Sequence, residues 1–185
     1  MRFCVLAVTI AFASVTISGQ IAMPKKVHQE GFSIVGIEAR TSNAREMKGE
    51  GVIPKQWQDW QERFVSRVEQ PEVNRADPNL YAVYTDYDSD RNGEYSFVIG
   101  VRVNAGTKVP PGMVLKKIPA GDYALITSEK GPAGKVVVGA WQKVWALEDK
   151  AQLGGTRAYK ADFEVYDSRS ADPQNSQVDL YIGLK

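Results

Sequence analysis

Acidic residues and tyrosines recur in two segments near the C-terminus at the spacing that a β-strand places on one face. Side chains alternate along a strand, so Asp162, Glu164 and Tyr166 share a face, as do Asp179 and Tyr181. Aromatic faces attract cations, and a poorly solvated carboxylate supplies the counter-charge for a cationic or polarised apolar ligand. The alternation thus predicts a cation-binding face that gathers four tyrosines around Glu164: Tyr81, Tyr87, Tyr166 and Tyr181.

A second interpretation of Glu164 stays open at this level. Tyrosines are common on strands, and Glu164 can equally be a solvated surface acid paired with a lysine; periodicity by itself favours that interpretation. The opposite faces of the same two segments are apolar and predict packing beneath helices: Ala161, Phe163 and Val165, with Val178, Leu180 and Ile182.

Metal and phosphate patterns in the chain are incomplete. The acidic stretch from Asp86 to Glu94 alternates oxygen ligands, but Arg91 and Phe97 stand where a calcium loop requires Gly and Glu. Residues 131–135 lack the spacing of a phosphate-binding loop. We therefore predict no metal ion and no cofactor.

Nucleophilic catalysis also lacks the residues that it needs. The only cysteine, Cys4, lies in the N-terminal apolar segment, and the only histidine, His28, precedes the first predicted strand. No G-x-S-x-G sequence is present. If the protein is an enzyme, Glu164 is the one candidate for a general acid or base, with its pKa raised by an apolar surround and a tyrosine as hydrogen-bond partner.

The elements that must position these residues follow the same order in both halves of the chain. Apolar residues recur every three or four positions from Ile53 to Val68 and from Val137 to Trp145, which predicts two amphipathic helices. Strand-forming segments surround the helices: residues 31–40, 80–87, 95–103, 159–167 and 177–184, and residues 113–128, which are either a strand pair or one strand bent at Ala120-Gly121. Residues 41–51 are polar and predict a loop.

The two halves also resemble each other in sequence, since residues 84–88 align with 163–167 and residues 97–101 with 180–184. We predict an α+β fold of two duplicated β-α-β-β units, about residues 31–104 and 113–185, related by a pseudo-twofold axis. The strands would form one antiparallel sheet with both helices on one face and a ligand cleft on the other.

The first 22 residues differ from the rest. An uncharged, mostly apolar run from Phe3 to Ile17 follows Met1-Arg2 and predicts a secretory signal peptide, with cleavage fitting either Ala11-Phe12-Ala13 or Ile17-Ser18-Gly19. An uncleaved anchor and a buried first helix are the alternatives. Export to the periplasm is the expected location, with no integral membrane domain after cleavage.

Charge excludes one class of partner. The chain carries 23 Lys and Arg against 22 Asp and Glu, without a basic stripe, so nucleic-acid binding is not expected. The oligomeric state is not readable from the sequence.

Four segments together resemble the GyrI-like effector-binding domain, which forms the ligand-binding half of AraC- and MerR-type multidrug regulators and also occurs alone in integron cassettes. They are YTDYDSDRNGEYSFVIGVRV (84–103), IPAGDYALITSEKG (118–131), AWQKVWAL (140–147) and FEVYD (163–167), within a resemblance from Gly31 to the C-terminus. The resemblance implies a cleft for hydrophobic, often cationic compounds and assigns the pocket acid to Glu164. It adds four candidates for the aromatic wall: Tyr84, Tyr95, Tyr123 and Trp141.

Three functions are compatible with this sequence. The first is an exported protein that binds a small hydrophobic cation. The second, implied by stand-alone relatives that are hydrolases, is hydrolysis of a reactive toxin with Glu164 as general acid or base. The third is a modulator that binds another protein.

Overall fold

A computed structural model describes residues 24–185, so the predicted signal peptide and Cys4 lie outside the described residues. The strands are β1 (Lys25–Gln29), β2 (Phe32–Ser42), β3 (Leu80–Thr85), β4 (Glu94–Val103), β5 (Val114–Ile118), β6 (Gly121–Thr127), β7 (Arg157–Tyr166) and β8 (Asp179–Leu184). The helices are α1 (Asn43–Met47), α2 (Ile53–Asp59), α3 (Val65–Val68) and α4 (Ala133–Asp149). A π-helical turn, Trp60–Phe64, joins α2 to α3, and a 3-10 turn, Ser168–Ser170, follows β7.

All eight strands form one open sheet in the order β1-β6-β8-β7-β3-β4-β2-β5, with every pair antiparallel. The two halves of the sheet meet at the central β3–β7 pair: β3 is followed outward by β4 and β2, and β7 is followed outward by β8 and β6. The two outer strands are exchanged between halves, because β1 pairs with β6 and β5 pairs with β2. The predicted α+β fold, with an antiparallel sheet and its helices on one face, is confirmed.

The sheet curls so strongly that its two ends meet. Strands β1 and β2 are near opposite ends of the sheet, yet only Glu30 and Gly31 connect them; Pro119 and Ala120 likewise connect β5 to β6. Two residues span no more than about 10 Å, so the ends must come together. On the inner face the ring of Phe32 in β2 lies 5.2 Å from the ring of Phe163 in β7.

Facing glycines permit part of this curvature. Gly36 of β2 and Gly100 of β4 are register partners, and a Cβ atom at Gly36 would lie 2.1 Å from the carbonyl oxygen of Ile99. No side chain fits at that approach, which is the situation in which glycine is found inside strands. We expect any larger residue at position 36 to force the two strands apart.

The helices pack on the outer, convex face of the curled sheet. In α4, Val136, Ala140, Val144 and Leu147 are buried at helical spacing against β6 and β8. Helix α2 is fixed by Gln56, whose buried Nε2 donates to the carbonyl oxygens of Ile37 (2.7 Å) and Phe97 (3.0 Å). Helix α4 is therefore held against β6 and β8, and α2 against β2 and β4, on the two sides of the central β3–β7 pair.

Three local features differ from the sequence predictions. Residues 41–51 were expected to be a loop, but they contain α1, whose first turn is capped by the Ser42 hydroxyl. Strand β1 was not predicted, because its sequence KKVHQ is polar and its partner β6 lies about a hundred residues away. The helix predicted from Ile53 to Val68 is interrupted by the π-helical turn.

Within residues 24–185 no helix is both long enough and apolar enough to cross a membrane.

Candidate ligand-binding cavity

A cavity of about 400 Å³ opens on the convex face, between the helices and the sheet. This is a size that small organic ligands occupy in proteins. One side is formed by α1 and the start of α2, the other by α4, and the floor by side chains of β3, β4 and β7. The lining residues are Asn43, Glu46, Met47, Ile53, Pro54, Tyr84, Tyr87, Tyr95, Val137, Val138, Trp141, Gln142, Trp145 and Arg157.

Aromatic rings in mutual contact form the inner wall of the cavity. The ring of Tyr84 lies 4.7 Å from that of Trp141, edge to face, and 5.5 Å from that of Tyr95. Tyr87 continues the wall, with its ring 5.5 Å from Tyr95. Edge-to-face packing fixes these rings and leaves electron-rich faces available, so the wall suits a flat apolar or cationic group.

Glu164 lies directly behind this wall and is only 1% exposed. Its Oε1 accepts hydrogen bonds from the Tyr84 hydroxyl (2.8 Å) and from Trp141 Nε1 (2.6 Å). Its Oε2 accepts from the Tyr166 hydroxyl (2.5 Å). Two of the three donors are therefore rings of the cavity wall, which connect the carboxylate to the cavity.

Burial and hydrogen bonding have opposite effects on the pKa of Glu164. Removal from water raises the pKa of its carboxyl group above the ordinary value, while the hydrogen bonds from Tyr166, Trp141 and Tyr84 oppose that rise. The same environment raises the pKa of Tyr84 and of Tyr166 well above the usual value, first through burial and then through the nearby carboxylate. Both hydroxyls consequently remain donors at any physiological pH.

A second buried acid, Asp162, shares this face of β7 but has a cation beside it. Arg157 Nη2 lies 2.7 Å from Asp162 Oδ2, and the Tyr87 hydroxyl donates to the same oxygen at 2.7 Å. Asp162 Oδ1 accepts from the Gly183 amide at 2.8 Å. Arg157 also contacts Glu148 at 3.2 Å, so its charge is balanced within the wall of the cavity.

Two residues with positive φ turn side chains into this region. Tyr159 has φ of 53° within the irregular part of β7, so Arg157 and Asp162, five residues apart, reach the same face. Asp86 has φ of 50° directly after β3, and Tyr87 consequently joins Tyr84 on the convex face. In an unbroken strand each pair would be on opposite faces.

The structure brings six of the nine predicted site residues together. Tyr84, Tyr87, Tyr95 and Trp141 line the cavity, and Glu164 and Tyr166 lie directly behind it. The other three are packed on the concave face with Phe163: Tyr81, Tyr123 and Tyr181. The prediction that Tyr81 and Tyr181 surround Glu164, and that Tyr123 is part of its aromatic wall, is wrong.

The cleft was also assigned to the wrong face. We expected Phe163 beneath the helices and Glu164 on an open face, because a half-buried sheet normally has one apolar and one polar side. Curling of the sheet buries the apolar rings of Phe163 and its neighbours inside the concave face instead. The face of Glu164 is the one that the helices cover.

Two functional candidates were missed by sequence reasoning. Arg157 precedes the segment that was predicted as a strand, residues 159–167, and the irregularity at Tyr159 brings it to the face of Asp162. Glu46 lies in a segment that was predicted to be a loop, yet it lines the cavity from α1. Within residues 24–185 no group of three or more His, Cys, Asp or Glu residues could hold a metal ion.

The sequence model of the family described as "Cass2: Integron-associated effector binding protein" matches residues 27–184. The chain belongs to this family. The match includes every described strand except the first two residues of β1, so the cavity lies wholly within the domain typical of the Cass2 family.

Two curated relatives carry the names of regulators. The Bacillus subtilis (strain 168) protein YobU, named as a candidate transcriptional regulator, is 35% identical over 151 residues, which are 81% of this chain and 90% of YobU. The transcriptional regulator BrlR of Pseudomonas aeruginosa is 35% identical over 167 residues, or 85% of this chain. The matched part is only 54% of BrlR, so the chain is similar to about half of that protein.

Solved structures of low sequence identity share the fold. An integron cassette protein from the mobile metagenome of Vibrio cholerae has a TM-score of 0.69 and 22% identity, covering 88% of this chain and 96% of its own. The protein SAV2435, solved bound to tetraphenylphosphonium, has a TM-score of 0.70 and 17% identity, and the match covers 89% of this chain and 94% of SAV2435. Both likenesses support the effector-binding fold that Cass2 family members adopt.

Proposed function

We propose that this protein binds a small hydrophobic organic cation in the cavity, with Glu164 as the counter-charge. One observation carries the proposal: Glu164 is fully buried, and all its hydrogen-bond partners within residues 24–185 are neutral. An isolated buried carboxylate is costly, and a cation beside it removes much of that cost. A cation bound in the cavity would supply the counter-charge for this carboxylate.

The aromatic wall defines how such a cation would be contacted. The rings of Tyr84 and Trp141 stand between the cavity and Glu164, and both donate hydrogen bonds to its carboxylate. A cation in the cavity would therefore lie against ring faces that the carboxylate polarises, in a region shielded from water. Attraction between cation and carboxylate is stronger there than in bulk solvent.

The relatives support the same class of ligand. Members of the Cass2 family are described as effector-binding, and one protein of the same fold was solved with tetraphenylphosphonium, a hydrophobic aromatic cation. We extend that ligand class to this chain because its own cavity combines apolar walls with an unpaired carboxylate.

Calorimetric titration with tetraphenylphosphonium tests the proposal, with tetraphenylborate as the anion of similar size and form. We expect saturable binding of the cation only. Glu164→Gln should weaken it at least about tenfold, or roughly 1.4 kcal/mol. Glu62→Gln, which removes an exposed acid from the π-helical turn, is the matched control and should leave affinity unchanged. Equal binding of both probes, or binding indifferent to Glu164, would contradict the proposal. Mass spectrometry of the same mixtures would show whether the ligand survives or is hydrolysed.

The location of the protein forms a second part of the proposal. The sequence pattern of residues 1–22 supports export and a role in the periplasm as a binder or scavenger of such cations. Cell fractionation and the mass of the mature N-terminus test this part. A full-length protein recovered from the cytoplasmic fraction would contradict it.

A further inference from the structure

The cavity contains a second carboxylate at its outer end. Glu46 of α1 lines the cavity next to Met47, and across the opening stands Val138 of α4. Met47 and Val138 are among the most exposed large hydrophobic residues of the described chain, at 74% and 57%, so they mark the mouth. Glu46 is half-buried there, whereas Glu164 lies behind the inner wall.

Neutral donors alone hold Glu46 in place. Its Oε1 accepts from the Thr41 hydroxyl (2.6 Å), the Val52 amide (2.8 Å) and the Ile53 amide (3.3 Å). None of these partners carries a charge, and within residues 24–185 Glu46 forms no ion pair. The amides belong to the residues that begin α2, so the three hydrogen bonds together fix the position of the carboxylate.

Close packing restricts the carboxylate further. A Cβ atom at Gly51 would lie 2.0 Å from both Cδ and Oε2 of Glu46. Glycine at position 51 therefore leaves the space that the carboxylate occupies. The methyl group of Gly51→Ala would displace the Glu46 carboxylate without removing it. This variant therefore tests where the carboxylate lies, whereas Glu46→Gln tests its charge.

Both carboxylates act on the same wall of the cavity. Tyr95 lines the cavity close to both acids, and its pKa is raised first by burial, then by Glu46 and then by Glu164. The one cation in the wall, among the residues described, is Arg157, which Asp162 and Glu148 already balance. Glu46 lines the apolar space directly and Glu164 lies behind its inner wall, and within residues 24–185 neither carboxylate forms an ion pair.

We propose that Glu46 and Glu164 are two anionic recognition points, so that the cavity selects organic dications over monocations of the same size. This inference rests on the proposed function and specifies its ligand class. A dication can lie against the inner wall with one charge and reach Glu46 with the other. A monocation satisfies only one of the two acids.

Two biaryl probes of nearly the same size test the selection in the full chain. N,N′-dimethyl-4,4′-bipyridinium carries two positive charges, and N-methyl-4-phenylpyridinium carries one. Calorimetry should show the dication binding wild-type protein at least about tenfold more tightly. Glu46→Gln, which retains an acceptor for Thr41 and the two amides, should reduce that preference to about twofold or less. Gly51→Ala should reduce it in the same direction.

The outcomes separate this inference from the proposed function. Glu164→Gln should weaken both probes, whereas Glu46→Gln should weaken mainly the dication. If tetraphenylphosphonium binds but wild-type protein does not prefer the dication, or if the preference survives in Glu46→Gln and Gly51→Ala, the inference is wrong and the proposed function stands. If neither tetraphenylphosphonium nor either biaryl probe binds, both are wrong. Thermal unfolding checks that each variant is folded. If Glu46→Gln does not fold, the dication preference of Gly51→Ala decides whether the inference holds.

Discussion

Asp162 and Glu164 are two residues apart on β7, face the same side of the sheet and are both fully buried, yet their charges are balanced differently. Asp162 has the Arg157 guanidinium at 2.7 Å, the Tyr87 hydroxyl and the Gly183 amide. Glu164 has only the neutral donors Tyr84, Trp141 and Tyr166. Two similar acids in similar positions thus differ: Asp162 forms an ion pair, whereas Glu164 is held by neutral donors alone.

This difference in charge balance suggests different roles for the two acids, one in stabilising the fold and one in binding a ligand. A buried ion pair with its hydrogen bonds satisfied serves the folded state, and removing one partner leaves an uncompensated charge. A buried acid with neutral donors is tolerated but gains further stabilisation from any cation that reaches it. We infer that Asp162 organises the wall of the cavity and that Glu164 provides its affinity for ligand.

The largest expected effect comes from removing the cation of the complete pair. Arg157→Met leaves Asp162 buried without its guanidinium and should lower the free energy of unfolding by about 3 to 5 kcal/mol. Urea denaturation measures this. The double variant Arg157→Met, Asp162→Asn removes both charges and should recover a large part of the loss. A single variant that costs less than about 1 kcal/mol would mean that the pair behaves like a solvent-exposed one.

A smaller effect is expected from the donors to Glu164, and the two tryptophans of α4 offer a matched test. Trp141 Nε1 donates to Glu164, whereas Trp145 Nε1 is buried with no partner in the described part of the chain. Trp141→Phe should therefore cost about 1.5 to 3 kcal/mol more than Trp145→Phe, since a hydrogen bond to a charged group is lost. Urea denaturation of both variants measures the difference. Equal losses would show that only the volume of the ring matters.

The smallest effect is a dependence of stability on pH that belongs to Glu164. Its folded-state pKa is raised by burial above the ordinary value, so between these two values the folded protein holds more protons than the unfolded chain. Stability without ligand should therefore fall as pH rises through this window, by on the order of 1 kcal/mol, while cation affinity rises. Denaturation of wild type and Glu164→Gln across the acidic range measures it. Parallel curves for the two proteins would contradict the assignment.

The sequence predicted most of the secondary structure, because hydrophobic periodicity is a local property. Both long amphipathic segments are helical, and the predicted strands after the first helix agree with β3 to β8 apart from their ends. The exceptions are segments that depend on distant partners. Strand β1 is polar and is held by β6, while α1 is a single capped turn at the end of β2.

For the site residues too, what depends on local sequence could be predicted and what depends on the folded backbone could not. Glu164, Tyr84, Tyr95 and Trp141 could be named from the resemblance to effector-binding domains, and Tyr87 from the alternation of side chains. Their arrangement could not be derived by alternation, because Asp86 and Tyr159 adopt positive φ and reverse it. Those two backbone conformations placed Tyr87 and Arg157 where a regular strand would not.

The sequence by itself determined the fold class and the family resemblance, and it named Glu164 as the candidate acid. Tertiary structure alone decided which face of the sheet became the binding face. Alternation along a strand defines two faces but does not say which of them is covered. The curl of the sheet, with its ends joined by two-residue links, filled the concave face with rings from distant strands. Glu164 was thereby left beneath the helices, beside the cavity.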